Sequence, residues 1–549
     1  MPFISDFLTA RQGSVRRDLA VLAIAFGLLF TLFLGTLPLL EPDEGRYAEI
    51  PREMLERGDF ITPHLNYVKY FEKPPLHYWL NAASQSILGR SEFAVRFPSA
   101  LLGLCGVLLT CYAGQRLFGR REGLYGAMVL GSSIGFISLA RMNSIDMTLT
   151  GCMTATLFFF LLASREGEQR KGLYYHLFYL FAALTVLAKG LIGIVLPGGV
   201  VFLYMMLSRR WRLIREMRLL TGIPLFLAVC VPWFVLVSLK NPEFPRFFFI
   251  HEHFQRFLTK VHHRYEPPWF FIPVLLAGLV PWTFLLPETV SDIRRRWSPE
   301  KLFLVLWAAV IFVFFSMSSS KLIPYILPVF PAVALLIGTA LSGAMDERRP
   351  WPGIQFLSAA LFLAAAGAGI LLFTQMASKP PFPAGAALFP GIVLLTGGMV
   401  SLWIFLKVGR EFLPAAFCLT AAITAVLSPP AMFARSVEKK STRALAPVIK
   451  ERFSDVPLVS YGYYRQDVPF YTGRRVIVAG SSGELEFGRQ LEKEKGWFID
   501  PPAFCRMWDS PRPLAVLIGR ADLILLRSVV KTPPRIAAAW GGTVLVSNK

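Results

Sequence analysis

Residues 18–50 read DLAVLAIAFGLLFTLFLGTLPLLEPDEGRYAEI. An apolar run over 18–40 gives way at Glu41 to a segment rich in carboxylates. A bilayer core of about 30 Å asks for roughly 20 apolar residues of helix, and this run has that length. Arg11, Arg16 and Arg17 precede it. It is too long for the apolar core of a signal peptide and lacks a clear small-residue cleavage site, so it reads as a retained helix.

Comparable runs recur at 97–117, 123–140, 145–164, 173–189, 191–207, 217–238, 269–287, 301–317, 321–342, 354–374, 387–407 and 411–428, thirteen spans in all. The 549 residues are 54% hydrophobic and 17% charged, against about 25% charged in an ordinary globular chain. That balance excludes a soluble enzyme, a disordered chain and a disulfide scaffold. The net charge of +21 does not imply nucleic-acid binding, because the basic residues are not gathered on one soluble face. They sit in short clusters between apolar runs, as at Arg116, Arg120 and Arg121. The six cysteines are scattered and form no CxxC pair, so neither a cysteine zinc site nor a disulfide framework is suggested.

Clustered Lys and Arg mark cytoplasmic loops. They alternate through Arg116/Arg120/Arg121, Arg165/Arg170/Lys171, Arg209–Arg218, Arg294–Arg296, Arg348/Arg349 and Lys407/Arg410. The N-terminus is then cytoplasmic, and thirteen spans place the C-terminus outside. Two long loops face outward, 41–96 and 239–268. In the first, Asp43 is positioned to cap a helix over 44–57 that ends at Gly58. A second helix starts at Pro74 and carries His77, Tyr78 and Trp79, a mixture suited to the membrane interface. After about residue 433 helical signals alternate with apolar β-rich runs: PLVSYG, RRVIVAG, LAVLIG, ADLILL and GTVLVS. That pattern predicts a small α/β domain over 433–549, following a transmembrane domain over 1–432.

The chemistry-bearing residues concentrate in the outer loops and turns. Asp43, Arg46 and Tyr47 follow the first span; the plain reading is a cap with solvated interface charges, the functional one a carboxylate that takes a proton or binds a metal. Tyr70, Glu72 and Lys73 form a second cluster, in which Lys73 at a helix start suits a phosphate. Arg141 with Asp146, Lys189 and Lys321 are lone charges in outer turns. Each alone reads as snorkelling; together they suit an anionic lipid headgroup. In the second loop, His251 and His253 do not share a helical face, so no H-x-x-x-H ligand pair forms. One of them could join Glu72 in a mixed O/N divalent site.

PDEGRYAEIPREMLERGDF (42–60) and PHLNYVKYFEKPPLHYW (63–79) closely resemble the first outer loop of the bacterial aminoarabinose transferases that modify lipid A. SKLIPYILP (320–328) and EHFQRF (252–257) are similar to further motifs of that family. The resemblance covers about residues 18–430, extends more distantly to protein O-mannosyltransferases, and implies the GT-C class of glycosyltransferases. It implies a multi-pass protein of the bacterial inner membrane, with a sugar, 4-amino-4-deoxy-L-arabinose, carried on undecaprenyl phosphate. The acceptor lies outside the membrane, lipid A or another envelope molecule. Transfer is then a direct displacement with inversion, in which stabilising the departing lipid phosphate is the main electrostatic task. Carried onto this sequence, Asp43 is the base or acceptor-positioning carboxylate. Arg46, Lys73, Arg256 and Tyr325 surround the lipid phosphate, with Tyr70 and Lys189 nearby. Glu72 with His251 or His253 holds a zinc-like divalent ion. All these groups are expected to meet in one pocket at the outer membrane face.

Two alternatives compete. One is a hexose-transferring enzyme of the O-mannosyltransferase type. The other is a lipid transporter, which should have paired halves or interrupted helices in matching positions; neither is visible in the sequence.

Overall fold

The computed structural model describes residues 10–249, 266–347, 350–376, 384–492, 494 and 496–549. The chain divides into two compact units, one of 1–34 and 97–431 and one of 35–96 and 432–549.

The first unit is helical. Among the described residues nine helices are long and apolar enough to cross a membrane, and up to eleven spans result if two bent pairs each count as one. The chain is a multi-pass membrane protein. The expected spans 18–40 and 191–207 form shorter helices, Val15–Thr31 and Ile192–Leu207. Where the first ends, Arg141 satisfies free carbonyls, donating to Leu29 O at 2.6 Å, Phe30 O at 3.1 Å and Leu32 O, at the C-cap, at 2.7 Å. A helix end needs such partners. Arg141, which read as a snorkelling charge, is therefore a helix cap.

The expected span 123–140 is broken at Ser133 into Arg120–Ser132 and Ile134–Ala140, bent by 65°. The hydroxyls of Ser132 and Ser133 donate back to Met128 O and Val129 O, a pattern that bends helices. The span 269–287 is likewise two pieces, Phe271–Gly278 and Trp282–Arg295, at 104°. Pro281 between them has no N–H with which to continue a helical ladder. Interrupted helices thus exist where the sequence reading saw none.

In the second unit the first outer loop and the C-terminal segment fold together. The loop forms a helix Asp43–Arg57, a hairpin of β1 (His64–Leu65) and β2 (Val68–Lys69), and a helix Leu76–Leu88. The helix Asp43–Arg57 ends at Gly58 in the left-handed conformation, φ 64°, as the sequence suggested. Its start differs: Asp43 makes no capping bond and lies in the first turn, while Glu44 accepts from Leu40 N at 2.8 Å. Asn66 and Tyr67 form the hairpin turn with φ of 52° and 65°, the geometry a two-residue hairpin prefers.

The C-terminal segment builds a six-stranded sheet from β3 (Leu458–Tyr463), β4 (Ile477–Ser481), β5 (Phe498–Ile499), β6 (Ala515–Gly519), β7 (Arg535–Trp540) and β8 (Thr543–Ser547). Its order is β5-β4-β3-β6-β8-β7. Strands β3 to β6 run parallel, and β8 is antiparallel to both β6 and β7. Alternating residues cover the two faces. Val459, Val516 and Val546 pack on Phe504 and Trp508, and Leu458, Leu517 and Leu545 pack on Leu445 and Ile449. The ADLILL run, which read as a strand, is the start of a helix Asp522–Val529. Leu523 and Leu526 face inward at helical spacing, whereas Ile524 and Leu525 are exposed.

Candidate active site

In the second unit the helix Asp43–Arg57 is charged along its length, yet every residue from Glu44 to Met54 is buried. Burial of charge requires pairing, and Glu44 and Glu49 each meet an arginine. Arg96 holds Glu44 through both carboxylate oxygens at 2.7 and 2.8 Å and also donates to Leu37 O and Pro38 O. Arg52 grips Glu49 through two bonds of 2.6 and 2.7 Å.

Arg46 is the centre of the first candidate cluster. Its Nη1 lies 3.3 Å from Asp43 Oδ1, and its Nε donates to Gln466 Oε1 at 3.3 Å. Its Nη2 forms an ion pair with Glu484, and its guanidinium carbon stands 5.5 Å from the centre of the Tyr47 ring. The Asp43 side chain is 62% exposed and that of Arg46 only 5%, so one is open to an incoming molecule and the other is built in. The Tyr70 hydroxyl is buried with no hydrogen-bond partner among the described residues. Burial pushes it, and that of Tyr47, well above the usual phenol range. Both remain O–H donors at any physiological pH. Glu72 and Lys73 lie half-buried in the same unit, the Lys73 ammonium donating to Glu72 O at 2.8 Å.

A second cluster belongs to the first unit. Asp146 sits in the first turn of helix Ile145–Ala163 and Lys189 in the last turn of helix Lys171–Lys189. Each charge is favoured there by the helix dipole, and the two form an ion pair. The Lys189 ammonium also lies 4.2 Å from the centre of the Tyr325 ring, within reach of a cation–π interaction. Lys321 donates instead to Ser318 O at 2.7 Å and Glu266 O at 3.0 Å. His251, His253 and Arg256 lie outside the described residues.

Residues 72–236 match a family model described as dolichyl-phosphate-mannose-protein mannosyltransferase, and residues 445–548 match the aminoarabinose transferase C-terminal domain. The undecaprenyl phosphate-α-4-amino-4-deoxy-L-arabinose arabinosyl transferase of Pectobacterium carotovorum is 32% identical over 517 residues, 90% of each chain. The chain belongs to the aminoarabinose transferase family. A crystal structure of ArnT from Cupriavidus metallidurans bound to undecaprenyl phosphate is 30% identical, superposes with a TM-score of 0.87, and covers 96% of this chain and 98% of its own. The fold alone is shared with the oligosaccharyltransferase of Archaeoglobus fulgidus, at 13% identity and a TM-score of 0.54.

In this aminoarabinose transferase the sequence pointed to Asp43, Arg46, Tyr47 and Tyr70, and not to Gln466 and Glu484, which the structure places on Arg46. Both lie more than 400 residues from it, in the segment where no motif was recognised. The one local sign was Gly45. A Cβ there would stand 2.8 Å from Asp467 N, 2.9 Å from Glu41 Oε1 and 3.0 Å from the carbonyl carbon of Gln466. Only glycine permits so close an approach.

Proposed function

We infer that this chain is an inverting glycosyltransferase that moves 4-amino-4-deoxy-L-arabinose from undecaprenyl phosphate to a phosphate of lipid A on the outer side of the bacterial inner membrane. The observation that carries this reading is the match of nearly the whole chain, membrane region and C-terminal domain alike, to arabinosyl transferases. The N-terminus is cytoplasmic and the C-terminal domain periplasmic in this reading, which the alternation of basic loops supports.

The residues take roles their chemistry suits. The donor's phosphate leaves as an anion, so cations and O–H donors around it lower the barrier by stabilising the developing charge. Arg46, Lys73, Lys189, Arg256 and Lys321 supply charge, and Tyr47, Tyr70 and Tyr325 supply hydroxyls. Asp146 holds Lys189 in place. A phosphate monoester retains one proton up to its second pKa of about 6. Asp43, exposed and fixed by Arg46, receives that proton or orients the acceptor. A divalent ion held by Glu72 with His251 or His253 completes the proposal. Among the described residues no group of three His, Cys, Asp or Glu could hold one, and both histidines lie outside the described residues. Metal content that is equal in purified wild-type and Glu72→Gln protein would remove Glu72 from the ligand set.

Mass spectrometry of lipid A from cells with and without the protein tests the function. The expected difference is one amino-pentose. An unchanged lipid A with altered glycoproteins would favour hexose transfer to protein, the reading suggested by the match over 72–236.

A further inference from the structure

We propose that Glu484 is a resident counter-ion of Arg46, which the phosphate of the donor displaces when it binds. The idea rests on the reading that Arg46 faces the donor's phosphate.

Arg46 is a single positive charge with two carboxylates against it, Asp43 and Glu484. Asp43, 62% exposed, is screened by water, so Glu484 is the closer and stronger counter-ion. A phosphate approaching Arg46 is opposed by both carboxylates and engages the guanidinium only when one of them leaves. Glu484 is the one built to leave. It lies on a short 3-10 turn, Gly483–Leu485, whose first residue has φ 53°. Its side chain is 30% exposed, and the buried oxygen against Arg46 makes no hydrogen bond among the described residues, so its withdrawal to water breaks none at that oxygen. The Arg46 guanidinium need not move: Gln466 holds its Nε edge through a neutral oxygen. It is also 5% exposed, and a buried cation is costly without an anion beside it. Glu484 therefore supplies that anion when the site is empty. The buried Tyr70 hydroxyl points to the same place. It has no partner among the described residues, although Arg46 and Glu484 both act on it electrostatically. An anion that replaced Glu484 at Arg46 would give this O–H an acceptor.

The contact also gives the C-terminal domain a part in the reaction. Gln466 is a positioning residue and Glu484 a competitor, and both set how strongly Arg46 engages an anion.

The test is direct binding of undecaprenyl phosphate to the full-length protein in nanodiscs, with Glu484→Gln and Glu484→Ala beside the wild type. Glu486→Gln, an exposed neighbour paired with Arg489, is the control. Removing one like charge from the site should tighten binding about three- to tenfold in both variants, and the donor KM should fall with no rise in kcat. The control should bind as the wild type does. Weaker or equal binding by both variants, with a lowered melting temperature, would mean that Glu484 only braces its loop, and would overturn the counter-ion role while leaving the donor reading intact. No binding by the wild type would overturn the donor reading and this proposal with it.

Discussion

Asp43 and Lys73 share one short segment of chain but differ in what they can do. The Asp43 carboxylate is mostly exposed and is steadied by Arg46 at 3.3 Å. A positioned proton acceptor contributes about 10²- to 10⁴-fold to a transfer step. Asp43→Asn keeps the shape and removes the charge, so turnover should fall at least about a hundredfold while the protein still inserts and binds donor. Normal turnover in an in vitro transfer assay would take Asp43 out of the chemistry. Lys73 is half-buried, its ammonium on Glu72 O at 2.8 Å, and the proposed function gives it the donor's phosphate. Lys73→Ala should weaken undecaprenyl phosphate binding by about 1.5–3 kcal/mol, the range for a hydrogen bond to a charged group. An unchanged Kd would count against its phosphate role.

At the scale of elements, the junction between helix Asp43–Arg57 and helix Asp467–Thr472 matters most for the second unit. Glu41 accepts from the backbone N–H of Asp467, and Asp467 accepts from Thr442 N and Thr442 Oγ1, each at 2.8 Å. Asp467 is buried and Glu41 partly so. Burial raises Glu41 well above the usual carboxylate range, helped by the neighbouring Asp467 charge, and pushes Asp467 up to about 6. The folded state therefore holds a proton that the unfolded chain releases near pH 4. The resulting stabilisation is fully present below that point and is lost as pH rises through about 6. The melting temperature of solubilised wild type, measured against Asp467→Asn, should fall between pH 5 and pH 7.5. Parallel pH profiles for the two proteins would show that Asp467 does not titrate in this window.

For the whole molecule, the count of spans decides on which side the C-terminal domain resides. The last span forms the helix Leu413–Leu427. With thirteen crossings a reporter fused after Ser428 is periplasmic, so alkaline phosphatase should be active there and green fluorescent protein dark. The reverse pattern would mean that one bent pair enters and leaves the membrane on the same side. Both pairs, at Ser133 and at Pro281, were read in sequence as single straight spans. Hydropathy averages over a window and is blind to a kink, whereas the serine back-bonds and the missing proline N–H act on individual carbonyls.

Length, apolar runs and the 42–79 loop were enough to determine a multi-pass aminoarabinose transferase with an α/β C-terminal domain, and to single out Asp43, Arg46, Tyr47 and Tyr70 as candidates. Those features are written locally, in the span a bilayer demands and in side chains that sit close together in the chain. Tertiary structure alone decided that residues 35–96 fold with residues 432–549. It also decided that Arg46 is held by Gln466 and Glu484, that Arg141 is a helix cap, and that ADLILL begins a helix. Each of these depends on which distant backbone or carboxylate a group meets. A buried charge must find its partner somewhere in the fold, and nothing in its own stretch of sequence records where.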